Sequence, residues 1–205
     1  MVTTQRWTIA DLEQIEQPLD DTRYELIDGE LYVSTQPDWR HQFIGTRIAI
    51  VLSAWSDRTR RGLAVIAPGV IFSPENAVAP DVVWVRSERM STVLRDDGKL
   101  HSAPDLMVEI LSPGTRNQQR DRVKKLALYA KWGVLEYWIV NWRARQIEVY
   151  RREQDELRRV GVWAASDTVE SPCLPGLQIS VAEFFARLPD DLLWDGANEP
   201  AEDGV

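Results

Sequence analysis

The stretch "APDLMVEILSPGTRNQQRDRVKKLALYAKWGVLEYWIVN" (residues 103–141) contains a strand, a helix and another strand in immediate succession. Residues 105–111 predict a strand in which Glu109 interrupts the apolar run from Leu106 to Leu111. Residues 117–132 have helical spacing, and residues 135–141 are again mostly apolar. A strand without a polar face is typical of a sheet that is covered on both sides. The stretch therefore predicts a protein of the α/β class, with the Glu109 strand inside its sheet.

The flanking sequence predicts further elements around this unit. Toward the N-terminus we expect a helix from Thr8 to about Glu16 and then a β-hairpin over 23–34 with its turn at Asp28-Gly29. An amphipathic helix over 37–61 follows. After it we expect strands at 63–67, 69–73 and 81–85, and a polar loop through Gly98. Toward the C-terminus we expect strands at 146–152 and 156–164, and a helix over 181–188 that begins after Ser180. These elements fit a single domain over residues 1–188 around one central sheet, followed by an acidic, disordered tail over 189–205.

Composition excludes several classes of protein. No apolar run approaches the roughly 18–20 residues that span a bilayer, and the N-terminus lacks the layout of a secretory signal, so we expect a cytoplasmic protein without membrane contact. One cysteine and two histidines rule out a disulfide framework and a cysteine-rich zinc site. The net charge of −8 argues against a protein that coats nucleic acid, although residues 58–61, 116–125 and 142–146 are locally basic.

Glu109 is the residue that the apolar strand does not explain. An unpaired buried carboxylate costs several kcal/mol, so it requires protonation, a cationic partner or a metal ion. One interpretation is a salt bridge to an arginine, or a strand end that reaches solvent. The other is a divalent-metal site, which requires a second carboxylate.

Two aspartates follow an Ala-Pro pair and are candidates for that second carboxylate. Asp105 shares a face with Glu109, but four residues along a strand span about 13 Å, whereas ligands of one Mg²⁺ ion lie within roughly 4 Å of each other. Asp81 opens a different apolar strand, "DVVWV". If that strand pairs with residues 105–111, Asp81 and Glu109 converge across neighbouring strands.

The helix after the Glu109 strand offers two adjacent lysines, which helical phase separates. At about 100° per residue, Lys125 lies between Tyr129 and Trp132, with Gln118 and Asp121 on its flanks. Lys124 lies instead on the charged face with Arg120 and Lys131. Phase therefore directs Lys125 inward, either as a cation beside Glu109 or as a lysine stem that passes aromatic side chains on its way to solvent.

With Asp81, Glu109 and Lys125 assembled, the sequence resembles the PD-(D/E)xK nuclease superfamily, and within it the Uma family of restriction endonucleases. The resemblance covers roughly residues 8–185, and the stretch from Pro104 to Trp138 is its most specific part. It implies a restriction-endonuclease-like fold, with a central mixed β-sheet flanked by helices and an N-terminal helix and hairpin. It also implies Mg²⁺ or Mn²⁺ bound by Asp81 and Glu109, with DNA as the substrate.

One position departs from the superfamily motif. The motif has a lysine two residues after the glutamate, and here that position is Leu111. The lysine that matches the family position is Lys125, which the helical phase reaches independently.

Other positions are secondary candidates for the site. Glu25 matches a recurrent family position and is interpreted either as an auxiliary catalytic residue or as a solvated hairpin residue. His41 also matches the family, as a structural residue or a phosphate contact. Gln118 and Asp121 either tune Lys125 or lie on the helix surface. Trp138, Trp142 and Trp163 suit core packing better than a base-stacking platform.

The sequence thus predicts a metal-dependent DNA endonuclease with Asp81, Glu109, Lys125 and Glu25 in catalytic roles, and a homodimer is compatible with this function. The competing hypothesis is a catalytically inactive nuclease fold that binds nucleic acid or protein. A hydrolase of another phosphate ester is a third.

Overall fold

The computed structural model describes residues 5–15 and 22–188. The helices are α1 (Ile9–Leu12), α2 (Trp39–Thr59), α3 (Met90–Val93), α4 (Thr115–Gln119), α5 (Leu126–Trp132) and α6 (Val181–Phe185). The strands are β1 (Arg23–Ile27), β2 (Glu30–Ser34), β3 (Gly62–Ile66), β4 (Val70–Ser73), β5 (Asn76–Val78), β6 (Val82–Arg86), β7 (Leu106–Ile110), β8 (Glu136–Asn141), β9 (Gln146–Glu153), β10 (Glu156–Ala164), β11 (Thr168–Glu170) and β12 (Gln178–Ser180). The predicted disordered tail, 189–205, lies outside the described residues.

A six-stranded mixed sheet in the order β10-β9-β8-β7-β6-β3 forms the centre of the fold. β7 and β8 are parallel, with Met107 opposite Tyr137, and the other pairs of neighbouring strands are antiparallel. Parallel neighbours require a crossover connection, which α4 and α5 provide together with the turn between them. The predicted central mixed sheet flanked by helices is thus confirmed.

The alternation of side chains along β7 explains why this strand is apolar on both faces. Leu106, Val108 and Ile110 join a cluster with α2 and α6, whereas Met107 and Leu111 join a cluster with α5. Both faces are therefore covered, and Glu109, by alternation, faces the α5 side. Trp138 and Trp142 are buried in the first cluster, which confirms core packing as their role.

The N-terminal hairpin is confirmed, but it lies outside the central sheet. Asp28 and Gly29 form its two-residue turn, and both have positive φ angles of 48° and 77°, the combination that an Asp-Gly pair favours. The hairpin belongs to a second sheet, in the order β2-β1-β5-β4. The prediction of one central sheet was therefore incomplete, because the pairing of β1 with the unpredicted strand β5 joins residues far apart in sequence.

Several element boundaries differ from the prediction. α1 ends at Leu12 and not near Glu16, although Thr8 and Asp11 form the expected capping box at its start. The segment predicted as a polar loop contains a 3₁₀ turn (Ser87–Arg89) and α3, and the last helix ends at Phe185. Gly133 ends α5 with a left-handed φ of 90°. Within the described residues, no helix combines the length and the apolar character that crossing a bilayer requires.

Candidate active site

The antiparallel pairing of β6 with β7 brings Asp81 and Glu109 to one edge of the central sheet. Val82 is opposite Val108, so Asp81 and Glu109, one residue further on, occupy the next opposed position. The Asp81 carboxylate is fixed there because its Oδ2 accepts the Ile110 backbone N–H at 2.7 Å. Both carboxylates line the same cleft, as the sequence predicted.

Lys125 lies in the helical crossover between β7 and β8, and its side chain extends to Glu109. Its side chain is only 1% exposed, and its Nζ lies 2.9 Å from Glu109 Oε1 and 3.0 Å from Glu25 Oε1. The neighbouring Lys124 is about half exposed and pairs with Glu30 at 3.2 Å. Helical phase therefore distinguished the inward lysine from the outward one correctly.

The turn that carries Lys125 is not α-helical. Residues Arg120–Lys125 form a π-helical turn between α4 and α5, a rare conformation that is frequent at functional sites. Bonds from i to i+5 bring residues five apart to the same side of the helix. Arg120 therefore lies with Lys125 and contacts Glu25 at 3.7 Å, and its predicted place on the charged face was wrong.

Glu25 is a member of this buried cluster. It is 2% exposed, its Oε1 accepts the Ala79 N–H at 3.0 Å, and it contacts both Lys125 and Arg120. The alternative interpretation, a solvated hairpin residue, is excluded. The sequence could not decide this because the hairpin and the crossover helix are about a hundred residues apart.

Of the two helix residues predicted to flank Lys125, only Asp121 faces it. Asp121 is buried, with its Oδ1 at 3.9 Å from Lys125 Nζ and 3.4 Å from Arg120 Nε. Gln118 instead accepts a hydrogen bond from Arg122 at 2.7 Å. The cluster therefore contains the carboxyls of Glu25, Asp81, Glu109 and Asp121, the buried Lys125 and the partly buried Arg120.

Two tyrosines that sequence reasoning missed hold this arrangement in place. The Tyr129 hydroxyl donates to Glu109 Oε1 at 2.6 Å, and the Tyr137 hydroxyl donates to the Asp121 carbonyl oxygen, inside the π turn, at 3.1 Å. The two rings pack edge to face with centroids 5.0 Å apart. The available signal was the helical phase, which places Tyr129 beside Lys125 without showing that its hydroxyl reaches the carboxylate.

The cleft over these residues has a volume of about 470 Å³. Arg23 and His41 both contact Asp81. Arg23 Nη1 lies 3.6 Å from Asp81 Oδ1, and His41 Nε2 lies 3.1 Å from Asp81 Oδ2. Asn117 and Arg120 also line the cleft. The lining of the cleft thus combines buried carboxyls with cations and hydrogen-bond donors.

The four carboxyls differ in their ionisation. Burial raises the pKa of Glu109 to about 8. The charge of Lys125 lowers this pKa, whereas the charges of Asp81, Asp121 and Glu25 raise it further. Burial also raises the pKa of Asp121, against Lys125 and Arg120. For Glu25, burial is outweighed by Lys125, Arg120 and the Ala79 N–H, which lower its pKa. At neutral pH, Glu109 therefore holds a proton that one more positive charge would displace.

The pKa of Asp81 is lowered in the same environment. Burial opposes its charge, but His41, the Ile110 N–H and Lys125 together favour the ionised form. For Lys125, burial opposes the charge, and Glu109, Glu25 and Asp121 more than compensate, so its pKa is raised above the ordinary value. Of the opposed pair Asp81 and Glu109, the first is thus ionised and the second protonated at neutral pH, beside the ammonium group of Lys125.

Asp105 lies at the other end of β7, away from this cleft. It is fully buried, its Oδ2 accepts the Arg86 N–H at 2.9 Å, and its Oδ1 lies 2.9 Å from Arg89 Nη1. Asp105 therefore anchors the start of β7 and does not join the cluster, in agreement with the separation that strand dimensions predicted.

The donor set of the cleft fits a hard divalent cation. Carboxylate oxygens are the protein ligands that Mg²⁺ and Mn²⁺ take, and Mg²⁺ is usually held by one or two of them with water completing its shell. Asp81 and Glu109 provide two such groups. No set of three or more His, Cys, Asp and Glu side chains in residues 5–15 and 22–188 is spaced as a metal site, so a cation held by these two groups would take its other ligands from water or substrate.

Comparison with known proteins places the chain in a family. A sequence model described as "Uma2: Putative restriction endonuclease" matches residues 9–182. A crystal structure described as that of "a putative nuclease belonging to DUF820 from Anabaena variabilis ATCC 29413" superposes with a TM-score of 0.68 at 20% identity, covering 87% of this chain and 97% of that one. A search of curated proteins found no match. The fold is shared with that solved structure, and the chain belongs to the Uma2 family of putative restriction endonucleases.

Proposed function

We propose that the protein is a metal-dependent DNA endonuclease, in which Asp81 and Glu109 hold Mg²⁺ or Mn²⁺ and Lys125 acts beside them. The observation that carries the proposal is the buried ammonium group of Lys125, 2.9 Å from Glu109 at the floor of a cleft that Asp81 also lines. A buried lysine held by carboxylates at a cleft is typical of an active site that stabilises negative charge as it develops in a reaction. The family and the shared fold support a nuclease.

Each residue has a definite part in this proposal. Lys125 donates toward the negative charge that develops on the phosphoryl group and the attacking water. Glu25 fixes the position of Lys125 and keeps it charged. Tyr129 orients Glu109 through its 2.6 Å hydrogen bond. A bound divalent cation supplies Lewis acidity and lowers the pKa of bound water.

A cleavage assay tests this function. The purified protein is incubated with plasmid, linear duplex and single-stranded DNA in Mg²⁺, in Mn²⁺ or in EDTA. We expect cleavage in the presence of either cation and none in EDTA. Cleavage that persists in EDTA contradicts the mechanism, and DNA binding without cleavage of any substrate favours the inactive binding module.

Metal binding is expected to release a proton from Glu109. Because the folded-state pKa of Glu109 is raised from 4.5 to about 8, the carboxyl must lose its proton to act as a ligand at neutral pH. The apparent affinity for Mg²⁺ should therefore rise by up to about tenfold per pH unit toward pH 8 and level off above it. Calorimetric titration of Mg²⁺ in two buffers of different protonation enthalpy measures the release directly.

The Glu109→Gln variant is the control for this linkage, since an amide has no proton to give up. It should bind Mg²⁺ more weakly, and without proton release. An affinity of the wild-type protein that does not change between acid and neutral pH contradicts the assignment of Glu109 as a ligand.

A further inference from the structure

We propose that the Tyr137 hydroxyl holds the turn Arg120–Lys125 in its π-helical register and thereby positions Arg120 and Lys125 together against Glu25. The hydroxyl donates to a backbone carbonyl and not to a side chain, so Tyr137 is a positioning residue that acts through the main chain. The inference rests on the proposed function for its catalytic consequence, whereas the helical register itself can be measured without metal or DNA.

The π turn changes which N–H each carbonyl of the crossover helix accepts. In an α-helix, the Asp121 carbonyl accepts the N–H of Lys125, four residues further on. In a π turn, the bonds run five residues back, so the Lys125 N–H is directed to the Arg120 carbonyl instead. The Leu126 N–H, five residues after Asp121, contacts the Val123 carbonyl. The helix thus gives the Asp121 carbonyl less than an α-helix would, and a donor from another element can complete it.

Tyr137 supplies that donor from the central sheet. It lies in β8, its side chain is fully buried, and its hydroxyl donates to the Asp121 carbonyl oxygen at 3.1 Å. Its ring packs against that of Tyr150 on the neighbouring strand β9, with centroids 6.0 Å apart. The position of the donor is therefore set by the sheet, and the helical turn has to fit it.

The π register decides which side chains meet Glu25. Lys125 Nζ lies 3.0 Å from Glu25 Oε1, and Arg120 Nη1 lies 3.7 Å from Glu25 Oε2. In an α-helix, residues five apart point about 140° away from each other, so these two cations could not both face one carboxylate. Leu128 and Tyr129 anchor α5 in the core. A return to the α register would therefore leave Lys125 in place and rotate Arg120 away from Glu25.

Loss of the hydroxyl favours that return. A buried carbonyl without a donor is costly, and the α register gives the Asp121 carbonyl the Lys125 N–H as its partner. The π-helix is rare and occurs mostly as single turns inside α-helices, so the α register is the default for such a segment. We therefore expect the Tyr137→Phe variant to form an α-helical turn here, with Arg120 displaced from Glu25.

The test detects the helical register through hydrogen-bond scalar couplings in the NMR spectrum of the labelled full chain. In the wild-type protein, the Lys125 amide nitrogen should couple to the carbonyl carbon of Arg120. In Tyr137→Phe, a coupling to the carbonyl carbon of Asp121 should replace it. The substitution removes a single oxygen atom, and thermal melting confirms that the variant is folded.

Tyr150→Phe is the matched control. The Tyr150 hydroxyl donates to Glu148 Oε2 at 3.0 Å, so this variant loses a hydroxyl whose hydrogen bond goes to a side chain and not to the backbone of the π turn. Tyr150 also lies directly opposite Tyr137 in the sheet. Its variant should keep the wild-type coupling of Lys125. The inference is overturned if Tyr137→Phe retains the coupling to Arg120, or if Tyr150→Phe loses it to the same extent.

Stability gives a second readout, which a merely structural role of Tyr137 would not change. Arg120→Gln removes the cation that the π register places at Glu25, and it should raise the unfolding equilibrium constant of the wild-type protein about tenfold. In the Tyr137→Phe background, where Arg120 is already displaced, the same substitution should raise it only about twofold. Urea unfolding of the four proteins measures this coupling, and equal effects in the two backgrounds contradict it.

DNA cleavage separates this inference from the proposed function. If the wild-type protein cleaves DNA, Tyr137→Phe should lower kcat roughly tenfold and change KM much less, because it disturbs the groups that meet developing charge. A variant in the α register that cleaves as fast as the wild type overturns the positioning role. If the register changes as expected and the wild-type protein cleaves no DNA, the structural assignment stands and the proposed function fails. If the wild type cleaves and Tyr137→Phe keeps the π register, the proposed function stands and the inference fails.

Discussion

Replacing Lys125 with methionine is expected to lower the free energy of unfolding by about 3–5 kcal/mol near pH 8, the usual cost of removing one partner from a buried ion pair. The reason is that Glu25, Glu109 and Asp121 all lie within 3.9 Å of its ammonium group, at 2–4% side-chain exposure. Arg120, 3.7 Å from Glu25 and 3.4 Å from Asp121, would offset part of their charge. Urea unfolding, followed by tryptophan fluorescence, measures the loss.

Lys124→Met is the matched control, one residue away on the same turn. Lys124 is 53% exposed and pairs only with the equally exposed Glu30, so its replacement should change stability by no more than about 0.5 kcal/mol. Equal losses for the two variants would show that Lys125 does not compensate the buried carboxyls.

The deficit of Lys125→Met should depend on pH in a defined direction. The raised pKa of Lys125 means that its contribution is fully present below its ordinary value of 10.5. The stabilisation that Lys125 provides comes from its attraction to the ionised carboxyls around it, and Glu109 ionises only as the pH approaches about 8. The difference between variant and wild type should therefore grow from acid pH toward pH 8, and a deficit that is constant over this range would contradict the assigned charges.

Asp81→Asn is expected to reduce DNA cleavage by at least about 100-fold, the scale seen when one charge-stabilising group is lost from an active site. The substitution preserves shape and leaves an amide oxygen that can still accept the Ile110 N–H, which Asp81 accepts at 2.7 Å. It removes the negative charge that a divalent cation requires. Initial rates of plasmid cleavage measure the effect, with thermal melting to confirm the fold.

The second Ala-Pro-Asp tripeptide provides the control. Asp105→Asn removes a carboxylate from a buried ion pair with Arg89 and so lowers stability, but it lies at the far end of β7 from the cleft. Cleavage by its folded fraction should match the wild type. The reverse result, with Asp105→Asn inactive and Asp81→Asn active, would exchange the roles given to the two aspartates.

Local patterns were sufficient to predict most elements and part of the site. The apolar run around Glu109, the Asp28-Gly29 turn and the helical spacing after residue 117 each reflect interactions between residues close in sequence, so they could be recognised without the fold. The choice of Asp81 over Asp105 followed from strand dimensions alone. The inward direction of Lys125 followed from helical phase.

Long-range contacts account for what the sequence could not show. The position of Glu25 depends on the pairing of β1 with β5, which brings the hairpin against the crossover helix, and no local pattern encodes that pairing. The contact of Tyr129 with Glu109 depends in the same way on the packing of α5 over β7. Arg120 was misplaced because a phase of about 100° per residue assumes an unbroken α-helix.

The π turn has a consequence for how this kind of site is defined. Motifs are written as numbers of residues between functional positions, whereas the buried lysine that contacts Glu109 here stands sixteen residues after it in the sequence. In the proposed site, a 2.9 Å contact joins an ammonium and a carboxylate group from different segments of the chain, and the π turn carries the lysine of that contact. Such sites are therefore better compared by the positions of their functional atoms in space than by the spacing of their residues in the sequence.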